Sequence, residues 1–403
     1  MAERDLDDVL RRMSQTKVNR RGFLAAAGLT GTAAALAACS PSGTSTAAPS
    51  TAPASAAPAP STAVVETAAP SFEIEKELFM YNWGDYVDPN NMKQFQEVFG
   101  VDKFTYDTFA NNDEMMAKFQ GGATGQWDIC CPTMNYVPAM IDQGFIQKLD
   151  LARLPNLKYV DKTFKGQYWD PTDEYSVPKD WGTTGISVRT KDVKEPVKTW
   201  REFLDLIPQY SGKVVFVDSP DDVFIAPLKA NGYSLNSDVK EELDKARDEL
   251  MKVAPHILAL DSDQYNTKIE TEEAVLGLTW TGGILELRDK AETADTVYTI
   301  PEDGTVFWLD TWVVLTDPPH PVAGHAFINF IHEPHIQAIE TETNRYATPD
   351  SAAKQFIDPK MLADEALFVP DSVVAKLEPQ KDNSGITQRQ DIWAEFKSKI
   401  GQG

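Results

Sequence analysis

Apolar and polar residues alternate with two different periods along the chain from about residue 75 onward. Short apolar runs with a period near two predict strands, whereas apolar positions every three or four residues predict helices. The predicted strands are ELFMYNW (77–83), WDICCP (127–132), TGISVR (184–189), KVVFVD (213–218), AVLGLTW (274–280) and TVFWLDTWVVL (305–315). Each is bounded by polar or turn-forming residues.

Helical patterns separate these strands. They are NNMKQFQEVFG (90–100), YVPAMIDQG (136–144), TWREFLDLI (199–207), SDVKEELDKARDELMKV (237–253), HPVAGHAFINFIH (320–332) and HIQAIETET (335–343). Gly100 is a stop signal and Thr199 an N-cap. The 237–253 helix places Leu243, Ala246, Leu250 and Val253 on one side. Strands that alternate with helices predict an α/β architecture with largely parallel sheets.

The first 38 residues have the pattern of an export signal. Paired Arg20 and Arg21 precede an apolar run of 16 residues, Phe23 to Ala38, which is short for a membrane-spanning helix. Cys39 follows the run directly. This stretch resembles a bacterial twin-arginine signal joined to a lipobox, which implies cleavage before Cys39 and a lipid on its thiol. An ordinary signal peptide with a chance cysteine is the alternative.

Residues 39–74 are predicted to form a disordered tether that begins at the lipidated cysteine. Residues 40–71 are nearly all Ser, Thr, Ala, Pro and Gly, and such a segment cannot bury enough apolar surface to fold. We therefore expect an exported protein, held by the lipid on Cys39 at the outer face of the cytoplasmic membrane.

The charge balance narrows the range of partners. The chain has 403 residues and a formal net charge of −23, which argues against nucleic acid as a partner. An acidic surface suits a protein that captures cations. Of the three cysteines, Cys130 and Cys131 are adjacent. We predict that both are buried free thiols, because a disulfide between neighbours is strained.

Enzyme motifs are scarce. The sequence contains no P-loop, no G-x-S-x-G and no H-E-x-x-H pattern. The histidine spacings do not converge on one helix face, and DSPDD (218–222) lacks the glycine and the ligand spacing of a calcium loop. We therefore predict no catalytic activity, no cofactor and no metal site.

Aromatic residues and carboxylates occur together where strands are predicted to end. The stretches are YNWGDY, with Trp83, Asp85 and Tyr86, GLTW, with Trp280, and VFWLDTW, with Trp308, Asp310 and Trp312 on one face. In α/β sheets this edge is where ligands bind. Aromatic faces attract cations, and carboxylates form charge-assisted hydrogen bonds with ammonium groups, so the pattern suits an alkyl diamine. Alternatively, each tryptophan belongs to the core and each aspartate to a cap or turn.

Six stretches carry a resemblance over most of residues 78–400: YNWGDYV, WDICCPTMNYVPAMIDQGFIQKLD, YSVPKDWGTTGISV, LGLTWTGG, VFWLDTW and NRYATPDSAA. In this order they resemble the substrate-binding proteins of ABC importers for spermidine and putrescine. The resemblance implies a monomer with the two-lobed type II periplasmic-binding-protein fold. Each lobe would be a mostly parallel sheet flanked by helices, and hinge crossovers would join residues 75–181 plus 309–354 to residues 182–308 plus 355–403.

The resemblance also implies a ligand site between the lobes. Its residues would be Trp83, Asp85, Tyr86, Thr133, Asn135, Asp218, Asp222, Trp280, Trp308, Asp310, Tyr346 and Gln380. Asp310 would bind an ammonium group, while Trp280 and Trp308 would stack on the methylene chain. Asn135 stands where the family often has tyrosine, and the register of Asp218 and Asp222 stays open.

The expected function is a lipid-anchored component of an ABC importer that captures putrescine or spermidine and delivers it to a membrane permease. One alternative keeps the fold but binds another small amine-bearing or cationic solute. A second alternative is a secreted hydrolase that uses Asp218 and Asp222 as acid and base.

Overall fold

The computed structural model describes residues 73–383 and 385–401. The predictions for the signal peptide 1–38, for Cys39 and for nearly all of the tether 39–74 therefore lie outside the described residues. Within the described part of the chain, no helix is both long enough and apolar enough to cross a membrane.

Strands and helices alternate along the described chain. The strands are β1 Glu77–Asn82, β2 Lys103–Thr108, β3 Ile129–Cys130, β4 Ser176–Arg189, β5 Val214–Phe216, β6 Ile257–Leu260, β7 Leu276–Trp280, β8 Thr296–Thr299, β9 Val306–Val314 and β10 Glu378–Pro379. The α-helices are α1 Pro89–Phe99, α2 Asn112–Gln120, α3 Val137–Asp142, α4 Trp200–Leu206, α5 Pro220–Val223, α6 Ile225–Ala230, α7 Lys240–Val253, α8 Tyr265–Glu270, α9 Thr281–Asp289, α10 Pro321–Ile331, α11 Pro334–Asn344, α12 Pro359–Leu362, α13 Asp371–Val374 and α14 Thr387–Lys399.

The strands hydrogen-bond in the order β2-β1-β3-β9-β4-β7-β5-β6, with β10 added to β9 and β8 to β4. β1 is parallel to β2 and β3, and β5 is parallel to β6 and β7. The long strands β4 and β9 are antiparallel to each other, and they are antiparallel to β7 and β3 respectively. The predicted α/β architecture is confirmed. Parallel pairing, however, joins only β2, β1 and β3 on one side, β7, β5 and β6 on the other, and the short strand β10 to β9 among the described residues.

β4 belongs to both parts of the sheet. Its residues 176–183 pair with β9, and its residues 184–189 pair with β7 and β8. The sequence pattern identified only the second half, because Pro178, Lys179 and Asp180 interrupt the apolar run of the first half. All of β4 is nevertheless buried, and its register shifts between Pro178 and Asp180.

Several local signals act as predicted. Gly100 ends α1 in the left-handed conformation, at φ 67°. Thr199 caps α4 in a capping box with Glu202. The apolar side of α7 is buried as predicted. Cys130 and Cys131 are buried free thiols, as predicted.

Candidate functional site

A cavity of about 440 Å³ lies where β1, β5 and β7 end and β9 passes beside them. We call it the site cavity. Eleven of the twelve residues expected from the sequence line it: Trp83, Asp85, Tyr86, Thr133, Asn135, Asp222, Trp280, Trp308, Asp310, Tyr346 and Gln380. The twelfth, Asp218, is not among the described residues that line it, whereas Asp221 is. Asp218 precedes α5, while Asp221 and Asp222 lie in its first turn.

A buried hydrogen-bond network lies behind one part of the cavity. The Tyr86 hydroxyl lies 2.7 Å from Asp310 Oδ2 and also hydrogen-bonds with Asp180. Lys179 forms an ion pair with Asp180, and its Nζ lies 3.5 Å from the centroid of the Tyr86 ring. The sequence reasoning missed Lys179 and Asp180. In the sequence they are two adjacent charged residues, and the strand that contains them is buried along its whole length.

Asp310 is held in a position that disfavours its charge. Its side chain is buried, and Oδ1 has no hydrogen-bond partner within the described part of the chain. The pKa of Asp310 is raised to about 7. Burial is the largest cause, and the neighbouring Asp180 carboxylate is the second. A positive group that arrived from the cavity would stabilise the ionised carboxylate.

Two tryptophans from different strand ends meet on one side of the cavity. Trp83 follows β1, and its Nε1 donates a hydrogen bond of 2.9 Å to the carbonyl oxygen of Cys131. Trp280 ends β7, and its ring centroid lies 5.7 Å from that of Trp83 in an edge-to-face arrangement. Tyr265, which the sequence reasoning missed, packs edge-on against Trp280 at 5.9 Å. These rings give the cavity an aromatic face.

A second aromatic group comes from β9 and from the segment after α11. Trp308 and Tyr346 have ring centroids 5.0 Å apart, and Tyr346 lies 5.6 Å from Tyr86. Gly182 on β4 makes this packing possible, because a Cβ atom there would lie 2.7 Å from Trp308 Cζ2. The sequence reasoning did not identify Gly182, because only the tertiary packing makes its small size necessary.

Thr133 and Asn135 extend the polar lining from Asp310. Thr133 forms an isolated antiparallel bridge with Asp310, and its Oγ1 accepts a 2.9 Å hydrogen bond from Asn112 Nδ2. Asn135 is 1% exposed. Its Nδ2 donates to Asp221 Oδ2 at 3.3 Å, while its Oδ1 has no hydrogen-bond partner among the described residues.

The neighbouring carboxylates Asp221 and Asp222 have different environments. The Thr184 hydroxyl donates to Asp222 Oδ1, and Trp280 Nε1 donates to Asp222 Oδ2 at 3.3 Å. Burial raises the pKa of Asp222 even so. Burial also raises the pKa of Asp221 to about 7, with a contribution from the charges of Asp113 and Asp222. Asp221 was not predicted, because the sequence does not fix the phase of the short helix α5.

Asp85 and Gln380, both predicted from the sequence, line the cavity in different ways. Asp85 is exposed and lines the cavity from a left-handed turn, at φ 50°. Gln380 is buried, and its Nε2 has no hydrogen-bond partner among the described residues. The Tyr168 hydroxyl donates to the main-chain oxygen of Gln380. Asp85 is therefore open to solvent, whereas Gln380 is fixed through its backbone.

The charged residues among the described lining residues are all acidic. The acidic residues that line the cavity are Asp85, Asp221, Asp222, Asp263, Glu286 and Asp310. None of the described lining residues is lysine, arginine or histidine. Such a cavity favours a cation and disfavours an anion. Together with the aromatic faces, it can hold ammonium groups by charge and alkyl segments by stacking.

Comparisons with known proteins identify the family of the chain. Residues 91–369 match the family model described as bacterial extracellular solute-binding protein. The chain is 31% identical over 327 residues to the spermidine/putrescine-binding periplasmic protein of Salmonella typhimurium, with 81% of this chain and 92% of that protein covered.

Solved structures share the fold. The spermidine/putrescine ABC transporter substrate-binding protein PotD from Streptococcus pneumoniae superposes with a TM-score of 0.66 at 28% identity, over 81% of this chain and 99% of that one. The TpPotD lipoprotein of Treponema pallidum gives a TM-score of 0.69 at 25% identity, over 79% and 99%. The expected type II substrate-binding fold is thereby confirmed.

Proposed function

Because the chain belongs to the family of bacterial extracellular solute-binding proteins, we propose that it binds spermidine or putrescine for an ABC importer. The observation that carries this proposal is the lining of the site cavity, where buried carboxylates stand beside aromatic faces without a basic residue among the described lining residues. The relatives named above as spermidine/putrescine-binding proteins support the same ligand class.

The positions of the carboxylates suit a ligand with two separated charges. Asp310 lies on β9, whereas Asp221 and Asp222 follow β5 in another part of the sheet. Each carboxylate is more stable when an ammonium group neutralises it, because burial disfavours its charge. The alkyl segment between the ammonium groups would stack on the rings of Trp280 and Trp308.

Transport requires a conformational signal as well as a site. We propose that residues 75–181 plus 309–354 form one lobe, that residues 182–308 plus 355–403 form the other, and that they close on the ligand. The permease of the importer would recognise the closed monomer. In this proposal the protein releases its ligand unchanged and has no catalytic activity.

Membrane attachment is the second part of the proposal. Cys39 would carry the lipid, after export through the twin-arginine pathway and cleavage of residues 1–38. The relative described as a lipoprotein supports an anchored form. Metabolic labelling with a palmitate analogue tests it: the wild-type protein should be labelled and found in membranes, and Cys39→Ala should be unlabelled and released.

Isothermal titration of the protein with putrescine and with spermidine tests the ligand class. We expect a saturable heat of binding and a rise in melting temperature, since a ligand that binds only the folded state stabilises it. The absence of both effects at millimolar ligand would overturn the polyamine assignment. A panel of other amines would then test the alternative cationic solute. Mass spectrometry of the recovered ligand distinguishes binding from turnover.

A further inference from the structure

Asp180 and Asp310 occupy directly opposite positions on the antiparallel strands β4 and β9. Both side chains are buried, and Asp310 lines the site cavity. Like charges directly opposite each other destabilise a pair of strands, and burial strengthens the repulsion. The protein therefore needs a positive charge at this place whenever both carboxylates are ionised.

Lys179 supplies a positive charge next to Asp180. Its side chain is 1% exposed and forms an ion pair with Asp180 Oδ2. Within the described part of the chain, no other basic side chain forms an ion pair with Asp180 or Asp310. Burial alone lowers the pKa of Lys179, but the charge of Asp180 raises it above the ordinary value of a lysine. Lys179 is therefore a buried ammonium group.

A β-bulge gives Lys179 its position. The pairing of β4 with β9 passes over Lys179, which is the extra residue between Pro178 and Asp180. Neighbouring side chains of a regular strand point to opposite faces, whereas a bulge redirects one of them. Lys179 Nζ thus reaches Asp180 and also lies 3.5 Å from the centroid of the Tyr86 ring. Gln337 Nε2 donates a 2.7 Å hydrogen bond to the main-chain oxygen of Lys179 and so holds the bulge.

The Tyr86 hydroxyl is shared between the two carboxylates. It hydrogen-bonds with Asp180 Oδ1 and lies 2.7 Å from Asp310 Oδ2, but it has only one proton to donate. Asp180 Oδ2 has two further donors, Lys179 Nζ and Asn344 Nδ2, the latter at 3.1 Å. Asp180 therefore keeps two donors when the Tyr86 proton is directed at Asp310.

We propose that Lys179 is a positioning residue for ligand capture, because its ammonium group compensates the charge of Asp180. The Tyr86 proton and the negative charge of Asp310 then remain available to an ammonium group of the ligand. Lys179 and the ligand would thus balance one carboxylate each. This inference rests on the proposed polyamine function and goes beyond it, since neither Lys179 nor Asp180 is among the described residues that line the site cavity.

The charges near Asp310 come from several elements of the fold. Its pKa is about 7, raised first by burial and second by Asp180, while Lys179 lowers it. Lys179 also lowers the pKa of the buried Glu340 on α11, which burial raises to about 7. The other titratable groups that face Asp310 have pKa values raised by burial and are neutral near pH 7. They are Tyr86, Cys130, Cys131 and Tyr346.

Lys179→Met tests the charge, because methionine keeps an unbranched apolar side chain at this position. Calorimetry with putrescine between about pH 5.5 and pH 8 measures the Kd, and carbon NMR measures the pKa of the Asp310 carboxyl in the ligand-free protein. We expect this pKa to rise by at least about one unit and the Kd at pH 7 to rise about tenfold, since Asp180 is then uncompensated. The loss of affinity on acidification should begin at a correspondingly higher pH.

A second substitution separates this role from packing. Lys179→Met combined with Asp180→Asn removes both charges of the pair and leaves no unpaired buried carboxylate. This double variant should recover most of the affinity that Lys179→Met loses, and Asp180→Asn alone should lower the pKa of Asp310. Lys148→Met is the matched control, because it removes the same charge from an exposed ion pair with Glu174. It should change the Kd by less than about 3-fold.

Two results would overturn the inference. The first is a loss of affinity in Lys179→Met that is equal at every pH and that Asp180→Asn does not recover, since it would show that Lys179 only packs against Tyr86. The second is an unchanged pKa of Asp310 in Lys179→Met. If Lys179→Met does not fold, as circular dichroism would show, Asp180→Asn is compared with the double variant. Kd values within about 3-fold support the inference, and a tenfold difference overturns it, because Lys179 would then act without Asp180.

The proposed function fails in a different way. If the wild-type protein does not bind putrescine, the polyamine function is wrong. The NMR titration of the ligand-free protein still decides the role of Lys179, since it needs no ligand. An upward shift of the Asp310 pKa in Lys179→Met, reversed by Asp180→Asn, supports that role, and the absence of a shift overturns it.

Discussion

The Tyr86 hydroxyl lies 2.7 Å from Asp310 Oδ2, and the same hydroxyl hydrogen-bonds with Asp180. Asp180 has further donors in Lys179 and in Asn344 Nδ2, the latter at 3.1 Å. Because tyrosine has one hydroxyl proton, it can donate to only one of the two carboxylates. Of the two carboxylates, Asp310 therefore has fewer donors, and its Oδ1 has no hydrogen-bond partner among the described residues.

The first prediction concerns the pH dependence of binding. The pKa values of Asp310 and Asp221 are raised to about 7, so each carboxyl is largely protonated at pH 6 and must lose its proton when an ammonium binds. We expect the affinity for putrescine to fall as the pH drops below about 7, by up to about tenfold per pH unit for each carboxyl. Titrations in buffers of different ionisation enthalpy should show proton release.

The ligand provides the control for this prediction. The amines of putrescine stay protonated throughout pH 5.5–8, so the change must come from the protein. An affinity that is constant over that range, with no buffer-dependent heat, would show that the carboxylates are already ionised in the empty cavity.

The second prediction concerns the stability of the ligand-free protein. Asp310, Asp221 and Glu340 have pKa values raised to about 7 by burial, well above the value of about 4 in the unfolded chain. The folded state holds these protons more tightly, so their contribution is fully present below pH 4 and is lost as the pH rises through 7. We expect these groups to lower the melting temperature between pH 5 and pH 8. A diamine should raise it more at pH 8 than at pH 5.

The third prediction separates the charge of Asp310 from its shape. Asp310→Asn should weaken putrescine binding by about 2 to 5 kcal/mol, because an ammonium group loses its buried counter-charge. The amide resembles the protonated carboxyl, so the melting temperature of the ligand-free protein at pH 6 should change little. Calorimetry and thermal melting of Asp310→Asn and of the matched variant Asp218→Asn measure both effects. Normal putrescine binding by a folded Asp310→Asn protein would remove Asp310 from the site.

Part of the site could be predicted because it follows from local rules. Trp83 and Trp280 each stand at the carboxyl end of a strand that is parallel to a neighbouring strand, which is where ligands bind in α/β sheets. The end of a helix at Gly100 and the start of another at Thr199 could also be predicted, because a left-handed residue and a capping box involve only neighbours in sequence.

The rest depends on contacts between residues distant in sequence. Lys179 and Asp180 look unlike strand residues, and only their pairing and the Tyr86 network explain why they are buried. The choice between Asp218 and Asp221 depends on where α5 begins, which the sequence DSPDD does not fix. The roles of Lys179, Asp180 and Asp221 therefore required the three-dimensional structure.

The last prediction concerns Gly182, whose small size allows Trp308 to pack against β4. A Cβ atom at position 182 would lie 2.7 Å from Trp308 Cζ2 and 3.3 Å from Tyr346 Cδ1, too close without movement of these rings. Gly182→Ala should therefore displace Trp308, cost about 1 to 3 kcal/mol of stability through overpacking, and weaken putrescine binding. Gly125→Ala is the control, because a Cβ atom there meets nothing closer than 3.5 Å. Melting curves, tryptophan emission and calorimetry measure the three effects. A Gly182→Ala protein with altered emission and wild-type affinity would show that the ligand does not stack on Trp308.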